Sequence, residues 1–394
     1  MLERDFCKGG HNSALVISRS HGKLKNINVN QDKVKPHREV VMISVNNTLT
    51  PRTGGEYVYK VMKEELLKRK YIVHEVSVPF LLEGLIKQSS RQTRQEDLYR
   101  LLLHFRCTLE SLLKRCQSRN IVITSSHPAF PVFGHLVYHQ PKTGTGDSIG
   151  REYLSLYRKL GWIIVENEKL SPIWCLAKRS HILHLSNSFF TKRLINKLYG
   201  LNSFVLYPPA PISPILNSSF KVQRNFGVIV TRPEVPSGIT LLPKIVEGLP
   251  KTVKFVVIGN ADPTGLKVIQ TLRKKGININ YLGYVSEQNK LKLFNTFSHY
   301  LHLGFNESFG ITVVEAMAAG CIPIAPKSGA IPEYLPQDLL YLNSSEAAEK
   351  VIAQVGLEDY DLKTRLRIIA GQFREETFRI KFAAYMKTLE DLMS

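Results

Sequence analysis

Two glutamates eight residues apart, Glu307 and Glu315, stand in the stretch GFNESFGITVVEAMAAG, residues 304 to 320. Gly310 lies between them and Gly320 follows them. HYLHLG, 299 to 304, alternates into an apolar run and predicts a short strand. ITVVEAMAAG predicts a helix that stops at Gly320, a glycine C-cap. CIPIAP, 321 to 326, predicts the next strand. Strand, loop, helix and strand make one βαβ unit. Ligands of such units sit at the carboxyl ends of the strands, beside the helix N-terminus. That terminus offers unpaired N–H groups and roughly half a positive charge, which suits phosphate. Gly310 has no side chain, so an anion can come close to the backbone. Glu307 then lies in the loop over a pocket and Glu315 about one turn into the helix. Both can face one bound molecule. The residues alone leave a second reading open, in which Glu307 favours the helix dipole and Glu315 is solvated.

The elements that must hold this unit alternate strand and helix twice over. REVVMISV (38–45), YIVHEVSV (71–78), NIVITSS (120–126), HLVYHQP (135–141), HILHLSNS and SFVLYPPAP predict strands of a first set. Helices are predicted at 53–70, through much of 80–118, at REYLSLYRKLGW and at FFTKRLINKLYG. A proline-rich segment near 208–212 reads as a hinge. NFGVIVTR (225–232), TVKFVVIGNADP and ININYLGYV open a second set of strands, with helices at TLLPKIVEGLP, GLKVIQTLRKKG and EQNKLKLFNTFS. The expected class is α/β, with two parallel-sheet domains facing across a cleft. We divide the chain into a basic extension (1–37), a first domain (38–208) and a second domain (209–394), whose last helix packs back toward the first.

Charge is the unusual feature of these 394 residues. Net charge is +20, from 53 basic and 33 acidic side chains. Residues 1–200 hold 32 basic and 16 acidic side chains, a balance of +16; the remainder carries only +4. The first half therefore meets something anionic: a headgroup layer, a phosphate-bearing acceptor or nucleic acid. An inert, solubilising basic surface is the plain alternative. No apolar run is long enough to predict a membrane-spanning helix, and the start of the chain does not read as a signal peptide. The five cysteines are scattered, lack metal spacing and read as free thiols in a reducing compartment. A cytoplasmic protein, peripheral on the membrane face, is the expected location.

Further motifs then fall in order along the chain. Glu307-SFGITVV-Glu315 with AMAAG, SGAIPEYL (328–335), VIGNADP (257–263) and LGYVS (282–286) resemble the nucleotide-sugar domain of retaining GT-B glycosyltransferases of family four, the glycosyl transferases group 1. In the first half, RTGGE (52–56), SNSFFTKRLINKLYG and VLYPPAP resemble that family's glycine loop, helix and interdomain segment. VYHQPKTG is similar to a short stretch of its lipid-linked-oligosaccharide mannosyltransferases.

The resemblance implies a GT-B fold and roles for particular residues. Glu315 takes the ribose hydroxyls, Glu307 faces the transferred sugar, and the amides of Phe309, Gly310 and Ile311 hold the diphosphate. Thr53, Gly54 and Gly55 approach the phosphates from the other domain. Gly283 and Tyr284 cup the base. His139 faces the donor sugar, and Arg232 clamps the diphosphate. The family's clamp lysine is missing: Val235 and Ser237 stand where it could align, with Lys244 as a possible substitute. The implied mechanism is front-face attack with retention, so Glu307 is not assigned as a nucleophile. A UDP- or GDP-sugar is the expected substrate, with no tightly bound cofactor and no divalent metal.

Acceptor binding is expected on the basic half. Phe80, Lys87, Arg91 and Arg94, with Lys192 and Arg193 beside Phe189 and Phe190, combine apolar and basic side chains suited to an anionic bilayer surface. The expected acceptor is a lipid-linked or other glycan. Two competitors remain: a GT-B enzyme acting on nucleic acid or soluble protein, and a non-catalytic nucleotide-binding subunit.

Overall fold

The computed structural model describes residues 39–44, 54–77, 121–126, 134–140, 182–217, 225–234, 237–353 and 359–393. The first domain comprises β1 (Glu39–Ser44), α1 (Gly54–Lys68), β2 (Ile72–Ser77), β3 (Ile121–Ser126), β4 (Leu136–His139), β5 (Leu183–Ser186), α2 (Phe189–Tyr199) and β6 (Phe204–Val205). The short α3 (Ser213–Leu216) leads into the second domain. There follow β7 (Asn225–Thr231), α4 (Leu242–Glu247), β8 (Phe255–Ile258), α5 (Pro263–Lys274), β9 (Ile279–Gly283), α6 (Glu287–Thr296) and β10 (Phe297–Leu301). The chain ends with α7 (Ile311–Ala318), β11 (Ile322–Pro326), β12 (Leu340–Tyr341), α8 (Ser344–Ala353), α9 (Tyr360–Ala370) and α10 (Glu375–Met393).

Two six-stranded parallel sheets result, ordered β2-β1-β3-β4-β5-β6 and β12-β11-β10-β7-β8-β9. Strands of parallel sheets are covered on both faces and need apolar runs on both. FVVI of β8 and IPIAP of β11 meet that need and are buried throughout. In the second sheet, strand order reverses between β7 and β10. The crevice at such a switch point is where open α/β sheets bind ligands.

Packing fixes where that crevice lies. One face of the second sheet packs Phe294, Tyr300, Val313, Val314, Met317 and neighbours; the other packs Val228, Val230, Ile245 and Leu272. The core of the first domain includes Phe378, Phe382, Met386 and Leu389 of α10. The final helix thus belongs physically to the first sheet, and Arg379 ties it to Glu64 of α1 at 2.6 Å. The chain crosses between domains at two adjacent places, bridged by Ala210 and Arg374.

Several element boundaries depart from the expectation. The strand predicted at 299–304 runs from Phe297 to Leu301. His302, Leu303 and Gly304 have already left it, and Leu303 instead packs against Gly238. The strand expected through VLYPPAP is only Phe204–Val205, because Pro208 and Pro209 have no N–H for a ladder. TLLPKIVEGLP starts as a 3₁₀ turn at Ile239–Leu241 and becomes α-helix at Leu242. The helices expected at 80–118 and in REYLSLYRKLGW lie outside the described residues.

Candidate active site

Arg232 follows β7 and Glu307 lies in the loop after β10, the two strands flanking the switch point. Arg232 has a φ of 53°, a left-handed conformation uncommon for a side-chain-bearing residue and often found at functional sites. Its half-exposed guanidinium donates to Glu307 Oε2 at 2.8 Å. His302 Nε2 lies 3.8 Å from the same oxygen. Tyr300 Oη is 2.8 Å from His302 Nδ1 and 3.0 Å from Thr231 Oγ1. Burial drives the His302 imidazole down to about 4, against a smaller upward pull from Glu307. His302 is therefore neutral at pH 7, and Arg232 is the cation beside Glu307.

The Glu307 backbone is held from below. The Glu307 carbonyl accepts the Ala330 amide at 2.9 Å, and Ser328 Oγ accepts the Asn306 amide at 3.0 Å. Between them Gly329 has a φ of +69°, and a Cβ there would come 2.3 Å from the Glu307 carbonyl oxygen. Only glycine permits this contact, so the SGA segment sets the height of Glu307.

Gly310, at φ +92°, begins α7 with no side-chain cap on the helix. Tyr334 Oη donates to the Phe309 carbonyl at 2.7 Å and lies 3.3 Å from that of Gly310. The Phe309 ring is buried against Tyr207, Tyr334 and Phe373, so the main chain is what Phe309 offers the cleft. Ile311 meets the other domain: a Cβ on Gly54 would lie 2.7 Å from Ile311 Cδ1, and one on Gly55 would lie 2.9 Å from Gln140 Nε2. Gly54 lets the α1 N-terminus close on the α7 N-terminus, and Gly55 makes room for Gln140 of its own domain. Thr53 lies outside the described residues.

Glu315 is not solvated. It is 1% exposed on a helix buried from Val313 to Ala318. Lys290 of α6 bridges it at 2.8 Å and Glu287 at 2.6 Å. Burial raises the Glu315 carboxyl above its ordinary range, and Lys290 pulls it partly back. Lys290 carried no signal as a motif. Its spacing did: four residues before buried Phe294, it lies on the inward face of α6.

The other expected residues are distributed around this centre. Gly283, at φ +68°, ends β9 and accepts the Gly259 amide at 2.7 Å, and Gly259 in turn abuts Arg232. Tyr284 is 70% exposed, its ring open to a flat partner. His139 ends β4 fully buried, stacked on His184 with Nε2 3.0 Å from His184 Nδ1. Burial, with the His184 charge, drives its pKa down to about 3. Ser237 is buried and donates to Glu234, Val235 lies outside the described residues, and Lys244 stands exposed on α4. Among the described residues, the lysine paired with Glu315 is Lys290. On α2, Arg193 is exposed, Lys192 is half-buried and Phe189 is 49% exposed. Phe80, Lys87, Arg91 and Arg94 lie outside the described residues. Among the described residues, no group of three His, Cys, Asp or Glu side chains could hold a metal ion, and no helix is long and apolar enough to cross a membrane.

Residues 218–370 match the family described as Glycosyl transferases group 1. That match covers 153 of the 394 residues, and the whole chain has the GT-B fold. It is 28% identical over 266 residues to the GDP-Man:Man(3)GlcNAc(2)-PP-Dol alpha-1,2-mannosyltransferase of Dictyostelium discoideum, covering 60% of this chain and 50% of that protein. It is 31% identical over 118 residues to the gpi3 subunit of phosphatidylinositol N-acetylglucosaminyltransferase of Schizosaccharomyces pombe, 28% of this chain and 25% of that one. A third similarity, 31% over 78 residues, is to the tRNA-queuosine alpha-mannosyltransferase of Drosophila melanogaster, 20% of this chain and 21% of that one. The chain thus spans half or less of the length of these curated relatives. Among solved structures, the Anabaena protein HepE in complex with UDP and glucose superposes with a TM-score of 0.55 at 16% identity, covering 88% and 99% of the two chains. Sucrose-phosphate synthase of Thermosynechococcus elongatus superposes at 0.64 with 12% identity, covering 90% and 100%. Both likenesses are likenesses of fold.

Proposed function

We propose that this protein is a retaining glycosyltransferase moving a hexose from a nucleoside-diphosphate sugar to a lipid-linked or other glycan at a membrane surface. One observation carries the reading: Glu307 and Glu315 flank the uncapped N-terminus of α7 at the switch point, with Arg232 on Glu307. In this reading the diphosphate lies across the amides of Phe309, Gly310 and Ile311. Charge that builds on it as the sugar departs meets donors already aligned. Arg232 supplies the fixed cation and Gly54 closes the opposite side. Glu315 accepts the paired ribose hydroxyls, which an ionised carboxylate does well. Glu307, steered by Arg232 and Gly329, faces the hexose. The acceptor hydroxyl attacks from the side the phosphate leaves, and the departing phosphate oxygen takes its proton. The sugar–phosphate bond breaks as the new glycosidic bond forms.

A lipid-linked acceptor is supported by the relatives named for a dolichol-linked glycan and for phosphatidylinositol, and by the exposed Phe189 and Arg193 on α2. A nucleic-acid acceptor is the second reading. The +16 balance of residues 1–200 and the similarity to a tRNA mannosyltransferase favour it. Labelled transfer from GDP-mannose, UDP-GlcNAc and UDP-glucose to polyprenyl-diphosphate glycan, phosphatidylinositol or bulk tRNA decides between them. Label in the lipid phase supports the first reading and label in tRNA the second. Label in neither, with nucleotide binding intact, contradicts both.

A further inference from the structure

Glu333 stands where the two domains meet. It ends the turn Ile331–Glu333 of the second domain. Its carboxylate accepts the amides of Phe189 at 3.0 Å and Phe190 at 2.6 Å, the first two residues of α2 in the first domain. Ser188 Oγ caps the third amide, that of Thr191, so a carboxylate of one domain completes the cap of a helix in the other. Helix N-termini leave such N–H groups unpaired and favour negative charge. Glu333 also accepts the hydroxyl of Tyr207, on the segment that joins the domains, at 2.8 Å.

The same residues touch the loop at 307–311. Tyr207 packs on Phe309 with ring centroids 5.8 Å apart, and Tyr334, next to Glu333, bonds the Phe309 carbonyl. Asn187, just before α2, donates to Ser308 Oγ at 3.2 Å. Contacts that fix the angle between domains are therefore continuous with contacts that shape the proposed donor loop. We infer that Glu333 is the positioning residue that holds the two domains closed over that loop. Its effect on turnover rests on the glycosyltransferase reading; its effect on closure does not.

The test is small-angle scattering of the full chain as wild type, Glu333→Ala, Glu333→Gln and Tyr207→Phe. Isothermal titration with UDP and GDP and turnover of the corresponding nucleotide sugars accompany it. Glu333→Ala is expected to raise the radius of gyration and cut turnover by about 10²-fold through misplacement of the facing domain. Nucleotide affinity falls less than turnover, because in the proposed site Glu315 and the amides of 309–311 belong to the second domain and Gly54 adds only the facing wall. Glu333→Gln keeps the size, removes the charge and moves the same way; Tyr207→Phe, losing one of three bonds, moves less. A wild-type radius of gyration in soluble Glu333→Ala and Glu333→Gln overturns the inference, as does an unchanged turnover despite an opened molecule. If wild type turns over no nucleotide sugar, the glycosyltransferase reading fails while scattering still decides the closure.

Discussion

At the scale of the residue, Glu315 is where burial and charge compete most directly. An ionised carboxylate at 1% exposure survives only with a partner, and Lys290 is that partner. Removing one member of a buried pair costs on the order of 3–5 kcal/mol because the other is left uncompensated. Lys290→Met is therefore expected to destabilise the fold at neutral pH. The deficit has a sign in pH: without the lysine, the folded-state pKa of Glu315 rises further above its unfolded value. The loss is full above the folded pKa and fades as pH falls toward the unfolded one. Thermal unfolding of Lys290→Met and wild type from pH 8 to pH 4 checks it; a gap that widens on acidification contradicts it. Arg232→Ala is expected to cut turnover by about 10²–10³-fold, as loss of one stabilising donor does. Steady-state kinetics with the accepted nucleotide sugar measures this. The glutamate pair and Arg232 were legible because loop, glycine and helix fall in a recognisable order. Lys290 and His302 were less so: the four-residue spacing from Phe294 turns Lys290 inward, but neither that spacing nor a lone histidine in an apolar pattern says which carboxylate it meets.

At the scale of the element, glycines decide what can approach what. Gly329 carries a φ of +69° and sits under the Glu307 backbone, so Gly329→Ala demands a shift of Glu307 itself. We expect a stability loss of roughly 1–3 kcal/mol together with a fall in turnover. Gly54→Ala meets only the flexible end of Ile311 and should keep its stability. Comparing the two variants by thermal unfolding and kinetics separates a strained support from a crowded cleft. Most elements of the second domain were readable from the period of their apolar residues. Their ends were less so: β10 stops at Leu301, although the His302 amide still donates to Ile324 and its ring comes 3.8 Å from Glu307. His139 shows the same limit. Its position at a strand end was visible, but its contact with His184, 45 residues later, was not.

At the scale of the whole molecule, buried neutral histidines tie stability to pH. His139 and His302 are depressed to about 3 and about 4, and His135 is lowered by burial. Each is neutral when folded and takes a proton near pH 6.5 when unfolded. Their contribution is present above pH 6.5 and is lost as pH falls toward 4, because the unfolded chain then binds more protons. The unfolding midpoint should drop across that window by more than the Lys290→Met gap closes. The two-domain α/β plan was legible from the repeated alternation of strand and helix. The route of α10 toward the first domain was part of the expected division of the chain; periodicity alone does not direct it there, and Phe378, Phe382 and Leu389 of that helix pack in the first core. In the proposed function, Glu307 and Glu315 frame a nucleotide-sugar site. The most direct measurement is a thermal-shift screen of UDP, GDP, ADP and CMP and their common sugars on wild type and Glu315→Ala. Stabilisation by one nucleoside diphosphate, about 2.7 kcal/mol at a hundredfold excess over its dissociation constant, is expected in wild type and its loss in the variant. No shift with any nucleotide, or an equal shift in wild type and Glu315→Ala, contradicts it.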